Sequence, residues 1–222
     1  SGQLTVMSDW LPELPEERLD IAKRILPNHG LKARPVDLFE HELPQAWILA
    51  DTRGGVRRDV LGFYNWDEKN DVSMTYTPEK LGLPEAARFA AFDFWEKKLL
   101  EPFEKELSLT LPKGSCRILA VRPLLERPFV LSTSRHITQG IVDIMEEHWD
   151  EASATLKGSS MIVAGDPYEL RVIVPEGWHA EAISSEHPEG TVSMVQNGVE
   201  LRALLNIPSS GEVRWSIRFR KS

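Results

Sequence analysis

Segments in which apolar and polar residues alternate recur from about residue 46 to the end of the chain, and they constrain its fold most strongly. In the last segment, every second residue from Val213 to Phe219 is apolar, and the residues between them are Arg or Ser. Because successive side chains of a β-strand point to opposite faces, this pattern predicts strands with one buried and one solvated face. Short strands without helices between them predict antiparallel sandwiches. The predicted fold class is therefore mainly β.

Two groups of predicted strands follow each other along the chain. The first group is predicted at residues 47–50, 59–66, 72–77, 89–95, 107–111 and 116–121. A proline-punctuated link follows at residues 123–128. Beyond it, about eight short strands are predicted between residues 131 and 220, two of them joined by an Asn-Gly turn of type I′ at residues 196–199. We predict two antiparallel β-sandwiches in tandem, at residues 39–122 and 131–222.

The first 38 residues follow a different pattern. Residues 3–7 predict a short strand, and residues 15–26 predict a helix, since Pro15 suits a first helical turn. The helix carries one apolar stripe at helical spacing, made of Leu19, Ala22, Ile25 and Leu26. A strand followed by a helix is one βα unit. Because its apolar surface needs a partner, we expect residues 3–26 to dock on the first sandwich or to pair with a second copy of the chain, and to be disordered otherwise.

Charge and composition exclude several classes of function. The net charge of −8 at pH 7 disfavours binding to nucleic acid or to anionic membrane surfaces. No apolar run approaches the roughly 20 residues that a membrane-spanning helix needs, and the first residues do not resemble a signal peptide. The compartment is left undetermined. Cys116 has no second cysteine to pair with, and its place in an alternating strand predicts a small buried core residue.

The histidines do not predict a metal or cofactor site. The six of them show neither a pair four residues apart nor a cysteine partner, so no metal ligand and no cofactor are predicted. Ser134 and His136 are close in sequence, but a nucleophile elbow and an oxyanion hole are not recognisable around them. We predict a structural role, in which Arg135 or His136 hydrogen-bonds loop carbonyls between the domains.

Neighbouring carboxylates do not predict a glycosidase site either. Asp67 lies beside Glu68, and Glu146 lies beside Glu147. The two catalytic carboxyls of a glycosidase flank the scissile bond at about 5 to 9 Å across a cleft, which neighbours on one loop or strand do not do. These side chains are predicted to be solvated, and no catalytic residue is predicted.

Seven tryptophans make carbohydrate binding an alternative function, because an exposed indole face can stack on the C–H face of a sugar. Trp66, Trp95 and Trp215 lie in alternating segments and are predicted to fill the core. Trp178, beside Pro175 and Gly177, is the predicted contact to a carbohydrate, because loops often carry function.

Three motifs in the first half carry a family resemblance. They read Leu-Gly-Phe-Tyr-Asn-Trp-Asp at residues 61–67, Phe-Asp-Phe-Trp at 92–95 and Leu-Pro-Lys-Gly-Ser-Cys-Arg at 111–117. Together they resemble the β-sandwich that closes glycoside hydrolases of the α-galactosidase (melibiase) kind. Residues 134–140, Ser-Arg-His-Ile-Thr-Gln-Gly, resemble a motif that follows this sandwich in a bacterial branch of the family. The resemblance covers roughly residues 3–140, and the rest of the chain is interpreted from its alternation alone.

The resemblance implies that this chain itself carries no catalytic residues. In the family the catalytic carboxylates lie in an upstream (β/α)8 barrel, and residues 1–38 resemble its last βα unit. Asp9 and Trp10 would then lie near the substrate of the parent enzyme, at the strand end where barrel active sites are found. The implied role is an accessory region that packs on its own catalytic barrel, stabilises it and is inactive alone. A carbohydrate-binding module and a hydrolase in its own right are the alternatives, and a homo-oligomer stays open.

Overall fold

Strands dominate the computed structural model, which describes residues 11–222. A 3₁₀ turn at Leu11–Glu13 and helix α1 at Glu16–Ile25 precede the sheets, and a short helix α2 lies at Pro78–Leu81. The sixteen strands within residues 11–222 are β1 Arg34–Pro35, β2 Ala46–Asp51, β3 Arg58–Tyr64, β4 Val72–Tyr76, β5 Phe89–Asp93, β6 Lys98–Leu99, β7 Leu107–Leu111, β8 Cys116–Pro123, β9 Phe129–Thr133, β10 Ile144–Asp150, β11 Thr155–Ile162, β12 Tyr168–Ile173, β13 Trp178–Ser185, β14 Thr191–Asn197, β15 Glu200–Asn206 and β16 Gly211–Lys221. Neither α-helix in residues 11–222 is long and apolar enough to cross a membrane.

The first eight strands form the first sandwich. A six-stranded sheet in the order β1-β2-β3-β8-β5-β6 packs against the two-stranded sheet β4-β7, and all paired strands are antiparallel. Leu61 and Phe63 from the large sheet and Met74 and Leu109 from the small one share one core. The strand predicted at residues 59–66 ends at Tyr64, two residues early.

The last eight strands form the second sandwich. Its two four-stranded antiparallel sheets have the orders β10-β11-β16-β13 and β14-β15-β12-β9. Every second residue from Val213 to Phe219 lies in the shared core, as the alternation predicts. The β14–β15 hairpin is confirmed, but its turn has a positive φ at Gly198 and not at Val199, which is the pattern of a type II′ turn. The predicted mainly β fold of antiparallel sheets is confirmed, while the boundaries at 1–38, 39–122 and 131–222 stay a prediction.

Two side chains that we predicted in the core are exposed. Cys116 is the first residue of β8, and its side chain lies on the face of the large sheet that points away from the core of the first sandwich. Trp66 follows the end of β3, and 49% of its surface is exposed. Both predictions are wrong because the alternation was extended to strand ends, where no second layer covers the sheet. Trp215 is buried as predicted, and Trp95 is half-buried.

A buried cluster of charges joins the two sandwiches. Glu147 on β10 forms ion pairs with Arg58 on β3 and with Arg122 on β8, the latter at 3.0 Å. The Glu147 side chain is only 3% exposed, so the prediction that it is solvated is wrong. Beside this cluster, Phe92 of the first sandwich and Phe129 of the second lie in one apolar contact zone. The second sandwich therefore covers part of the outer face of the large sheet.

Helix α1 is held at its C-terminal end by the second sandwich. The Arg24 guanidinium donates two hydrogen bonds to Asp166 at 2.6 and 2.7 Å. The main-chain carbonyl of Arg24 accepts a hydrogen bond from the Ile137 N–H at 2.8 Å. The Arg135 guanidinium donates to the Lys23 carbonyl at 3.0 Å. Arg135 therefore bonds main-chain carbonyls as predicted, but they belong to the C-terminal end of α1 and not to a loop between the two sandwiches. These contacts place the C-terminal end of α1 on the second sandwich and not on the first, where we expected the helix to dock. Pairing with a second copy stays a prediction, and the predicted strand at residues 3–7 lies outside the described residues.

Candidate functional site

A groove runs along the part of the large sheet that the second sandwich leaves uncovered. Its floor is the outer face of β2, β3 and β8, and its walls are formed by residues 29, 31–33 and 137–138. The cavity measures about 540 Å³, which is within the usual range of about 300 to 1,000 Å³ for sites of small ligands. We call it the sheet groove.

Strand alternation and one glycine shape the floor of the sheet groove. In the β2–β3 register Trp47 lies opposite Gly62 and Leu49 lies opposite Val60, so these four residues share the outer face. A Cβ atom at Gly62 would lie 3.2 Å from the Tyr64 ring, closer than nearly all real contacts of that kind. The glycine therefore leaves space for the aromatic ring that crosses above it.

Three aromatic side chains form a row along the groove, which we call the aromatic row: Trp47, Tyr64 and Trp66. The rings of Tyr64 and Trp66 stack with their centroids 5.2 Å apart and their planes inclined by 8°. The Trp66 Nε1–H donates to the Pro44 carbonyl at 2.9 Å. Trp66 is thus fixed by a ring beneath it and a hydrogen bond at its edge, and it is still half exposed.

The polar groups of the sheet groove are mostly uncharged. Burial, followed by the neighbouring Cys116, raises the pKa of Tyr64, so its hydroxyl stays protonated at neutral pH and can donate a hydrogen bond. Burial lowers the pKa of His29, which keeps its imidazole neutral there. The lining contains Lys32 but, among the described residues, no carboxylate. An arrangement of this kind suits a ligand that offers hydroxyl groups and an apolar surface.

A second cavity, of about 410 Å³, lies beside the charge cluster and contains two carboxylates. Burial disfavours the ionised form of Glu147, but Arg58 and Arg122 outweigh it and hold the pKa of Glu147 below its usual range. Burial also opposes ionisation of Asp51, and the hydrogen bonds from Arg53 outweigh it and lower its pKa. A glycosidase acid needs a raised pKa, so neither carboxylate suits that role.

Of the three site residues predicted from the sequence, Trp178 belongs to the part of the chain that the structure describes. Asp9 and Trp10 lie outside the described residues. Trp178 is the first residue of β13 and is half-buried; its Nε1–H donates to the Glu126 carbonyl at 3.1 Å, and its ring lies edge-on to Trp149. Its contact to a carbohydrate stays a prediction.

Ser134 and His136 do not form a catalytic pair. The Ser134 Oγ accepts from the Glu169 N–H at 2.9 Å, whereas the His136 Nδ1 faces the Thr138 Oγ1 at 2.8 Å. Among residues 11–222, no group of three or more His, Cys, Asp or Glu side chains could hold a metal ion.

Sequence reasoning missed the sheet groove because it assigned Trp66 to the core. A signal was present, since Tyr64 and Trp66 are two residues apart and therefore belong to one face of an extended segment. The charge cluster was missed for a different reason. Its three members are 25 to 89 positions apart, and nothing in the local pattern links them.

The chain also resembles solved structures. No family model matches it, and no curated protein matches it. A GH27 β-L-arabinopyranosidase from Geobacillus stearothermophilus is 20% identical with a TM-score of 0.42, over 53% of this chain and 26% of that chain. The chain is similar to GH27 glycoside hydrolases.

Two further structures extend the comparison. The α-galactosidase I from Mortierella vinacea is 18% identical with a TM-score of 0.32, over 41% of this chain and 23% of that chain. The isomalto-dextranase from Arthrobacter globiformis T6 is 13% identical with a TM-score of 0.29, over 80% of this chain and 34% of that chain. The match to the GH27 enzyme spans about a quarter of that enzyme's length.

Proposed function

We propose that this chain is a non-catalytic accessory region of a glycoside hydrolase of the α-galactosidase kind, which packs on the catalytic barrel and stabilises it. The three motifs at residues 61–67, 92–95 and 111–117 support this family. The role itself rests on one structural observation, the state of helix α1.

Helix α1 is held in place without being packed into a core. None of its residues is buried, and none belongs to the four described apolar clusters. Ile21 is 48% exposed and Leu26, which follows the helix, is 38% exposed. A helix of ten residues is too short to be stable by its own sequence in water. Its C-terminal end is nevertheless fixed by Arg24, Arg135 and Ile137, so its apolar stripe is presented in a defined orientation.

In a (β/α)8 barrel, each helix buries its apolar face against the strands of the barrel. The stripe of α1 is only half-buried at Leu19, Ala22 and Ile25, and it is exposed at Leu26. Packing the barrel against α1 would complete the burial of this stripe and would also cover the exposed Ile21. The second sandwich would stay attached to α1 through the hydrogen bonds of Arg24 to Asp166. The accessory region thereby gives the barrel a rigid partner without contributing a catalytic group.

Hydrolysis assays test the absence of catalysis. The 222-residue chain is incubated with aryl α- and β-galactosides, glucosides and xylosides at several pH values. The expected result is no release above background, because the cavity carboxylates Asp51 and Glu147 are engaged by arginines. Turnover that survives repurification and is lost in a Glu147→Gln variant would show that the chain is an enzyme.

Carbohydrate binding is a second candidate function, and the aromatic row favours it. Trp47, Tyr64 and Trp66 lie together in the sheet groove, and Trp66 keeps an exposed indole face. This function is compatible with the accessory role, because α1 and the groove floor are different surfaces.

A further inference from the structure

We propose that the sheet groove binds a neutral oligosaccharide, with one pyranosyl unit stacked on the exposed face of Trp66. The inference deepens the second candidate function and rests on it, and it does not depend on the accessory role. It assigns the ligand class, the stacking ring and the hydrogen-bonding group of the site.

The stacking surface offers a single, rigid ring face. One side of the Trp66 indole is covered by Tyr64, whose ring lies nearly parallel at 5.2 Å. The Nε1–H is already bonded to the Pro44 carbonyl, so the indole edge is fixed and its N–H is not available to a ligand. A platform that is ordered before binding loses little side-chain entropy when a ligand arrives. The remaining face is apolar and flat, and it matches the C–H face of a pyranose ring.

The Tyr64 hydroxyl supplies polar recognition next to this platform. The oxygen lies 3.5 Å from the position of a Cβ on Gly62, which places it over the floor of the groove. Tyr64 has a raised pKa and no hydrogen bond with the described residues, so the hydroxyl is free to donate to and accept from a sugar hydroxyl. Lys32 and Thr138 add polar groups at the wall. An apolar floor with a few convergent polar groups is the usual composition of a small-ligand site.

The charges of the lining favour a neutral ligand. The protein carries a net charge of −8, yet no carboxylate of the described residues lines the groove. A cationic ligand would therefore find no counterion there. A strongly anionic ligand would find Lys32 alone, since His29 has a lowered pKa. A neutral sugar chain needs neither an anionic nor a cationic partner in the lining.

Titration calorimetry on the full 222-residue chain tests the proposal. The probes are maltotriose, cellotriose, mannotriose and galactotriose at up to millimolar concentration. At least one should bind, and Trp66→Ala should weaken its affinity about tenfold or more, as loss of a central aromatic contact does. Tyr64→Phe keeps the ring stack and removes only the hydroxyl, so a smaller loss of a few-fold is expected.

Phe39→Ala is the matched control, because Phe39 is 97% exposed and does not line the groove. Its affinity should equal that of the wild type. Melting temperatures and near-UV circular dichroism identify any variant that fails to fold, and Trp66→Phe, which keeps a ring face, should then restore most of the affinity.

The proposal is overturned if none of the four trisaccharides binds, as expected if a protein segment fills the groove. It is equally overturned if Trp66→Ala binds as well as the wild type. Either result leaves the accessory role intact, since that role depends on α1 and on the hydrolysis assays.

Discussion

The outward faces of the two sandwiches differ, although both come from the same alternating pattern. On the large sheet of the first sandwich, the outer face carries Trp47, Leu49 and Ile118. On β16 of the second sandwich, the outward residues include Arg214 and Arg218, which are exposed and lie near Glu186 and Glu181. A charged outer face is stable in water and needs no partner. An apolar outer face is a surface for contacts, and here it is divided between the second sandwich and the sheet groove.

The largest expected effect comes from breaking the contact between the two sandwiches. Glu147→Ala leaves Arg58 and Arg122 buried without a counterion, and loss of one member of a buried ion pair costs about 3 to 5 kcal/mol. Urea unfolding should show this decrease, or a separate early transition of one sandwich. Glu146→Ala, at the exposed neighbouring position, is the control and should change the free energy of unfolding by less than about 0.5 kcal/mol. An unchanged midpoint for Glu147→Ala would mean that the second sandwich is not held by this cluster.

A pH effect at His136 tests the segment that continues into Ile137 and Thr138, which form one wall of the sheet groove. Burial lowers the pKa of His136 to about 4. The unfolded chain therefore binds a proton near pH 6.5 that the folded chain does not bind until about pH 4. The stabilising contribution of the neutral ring is complete above pH 6.5 and decreases by about 1.4 kcal/mol per pH unit as the pH falls through this window.

The difference between the wild type and His136→Gln isolates this contribution from the carboxylates. Unfolding free energies of both proteins are measured from pH 7 to pH 4.5, and the wild type should lose stability more steeply. His148→Gln, at an exposed histidine, should follow the wild type. Parallel curves for the wild type and His136→Gln would show that His136 titrates as if solvated.

The smallest effect concerns α1. Deleting residues 1–26 removes the helix and the bonds of Arg24 to Asp166, but no member of the four described cores. The free energy of unfolding should therefore fall by only about 1 kcal/mol, the usual size for a partly exposed ion pair. Thermal unfolding followed by circular dichroism checks this. Loss of cooperative unfolding would mean that residues 1–26 are integral to the sandwiches, and the barrel-unit interpretation would fail.

The sequence predicted what depends on local pattern. The strand at residues 107–111 was predicted with its exact bounds, and the buried residues from Val213 to Phe219 were predicted correctly. Both follow from the alternation, which is visible in the sequence where one face of a strand is solvated. Arg135 was also assigned correctly to carbonyl contacts. Trp66 and Cys116 were misplaced because burial at a strand end depends on whether a second layer reaches that far. Glu147 was misplaced because its arginine partners come from another sandwich. Burial by residues that are distant in sequence leaves no signal in the local sequence pattern.

The central claim is that this chain is the accessory part of a larger glycosidase. An antiserum against the 222-residue chain, used on extracts of the organism that encodes it, measures the size of the native polypeptide directly. A barrel adds about 200 residues or more, so the account predicts a band of about 45 kDa or more whose immunoprecipitate hydrolyses an aryl glycoside. A native polypeptide of 25.2 kDa, the mass of this chain alone, with no glycosidase in the precipitate would contradict it.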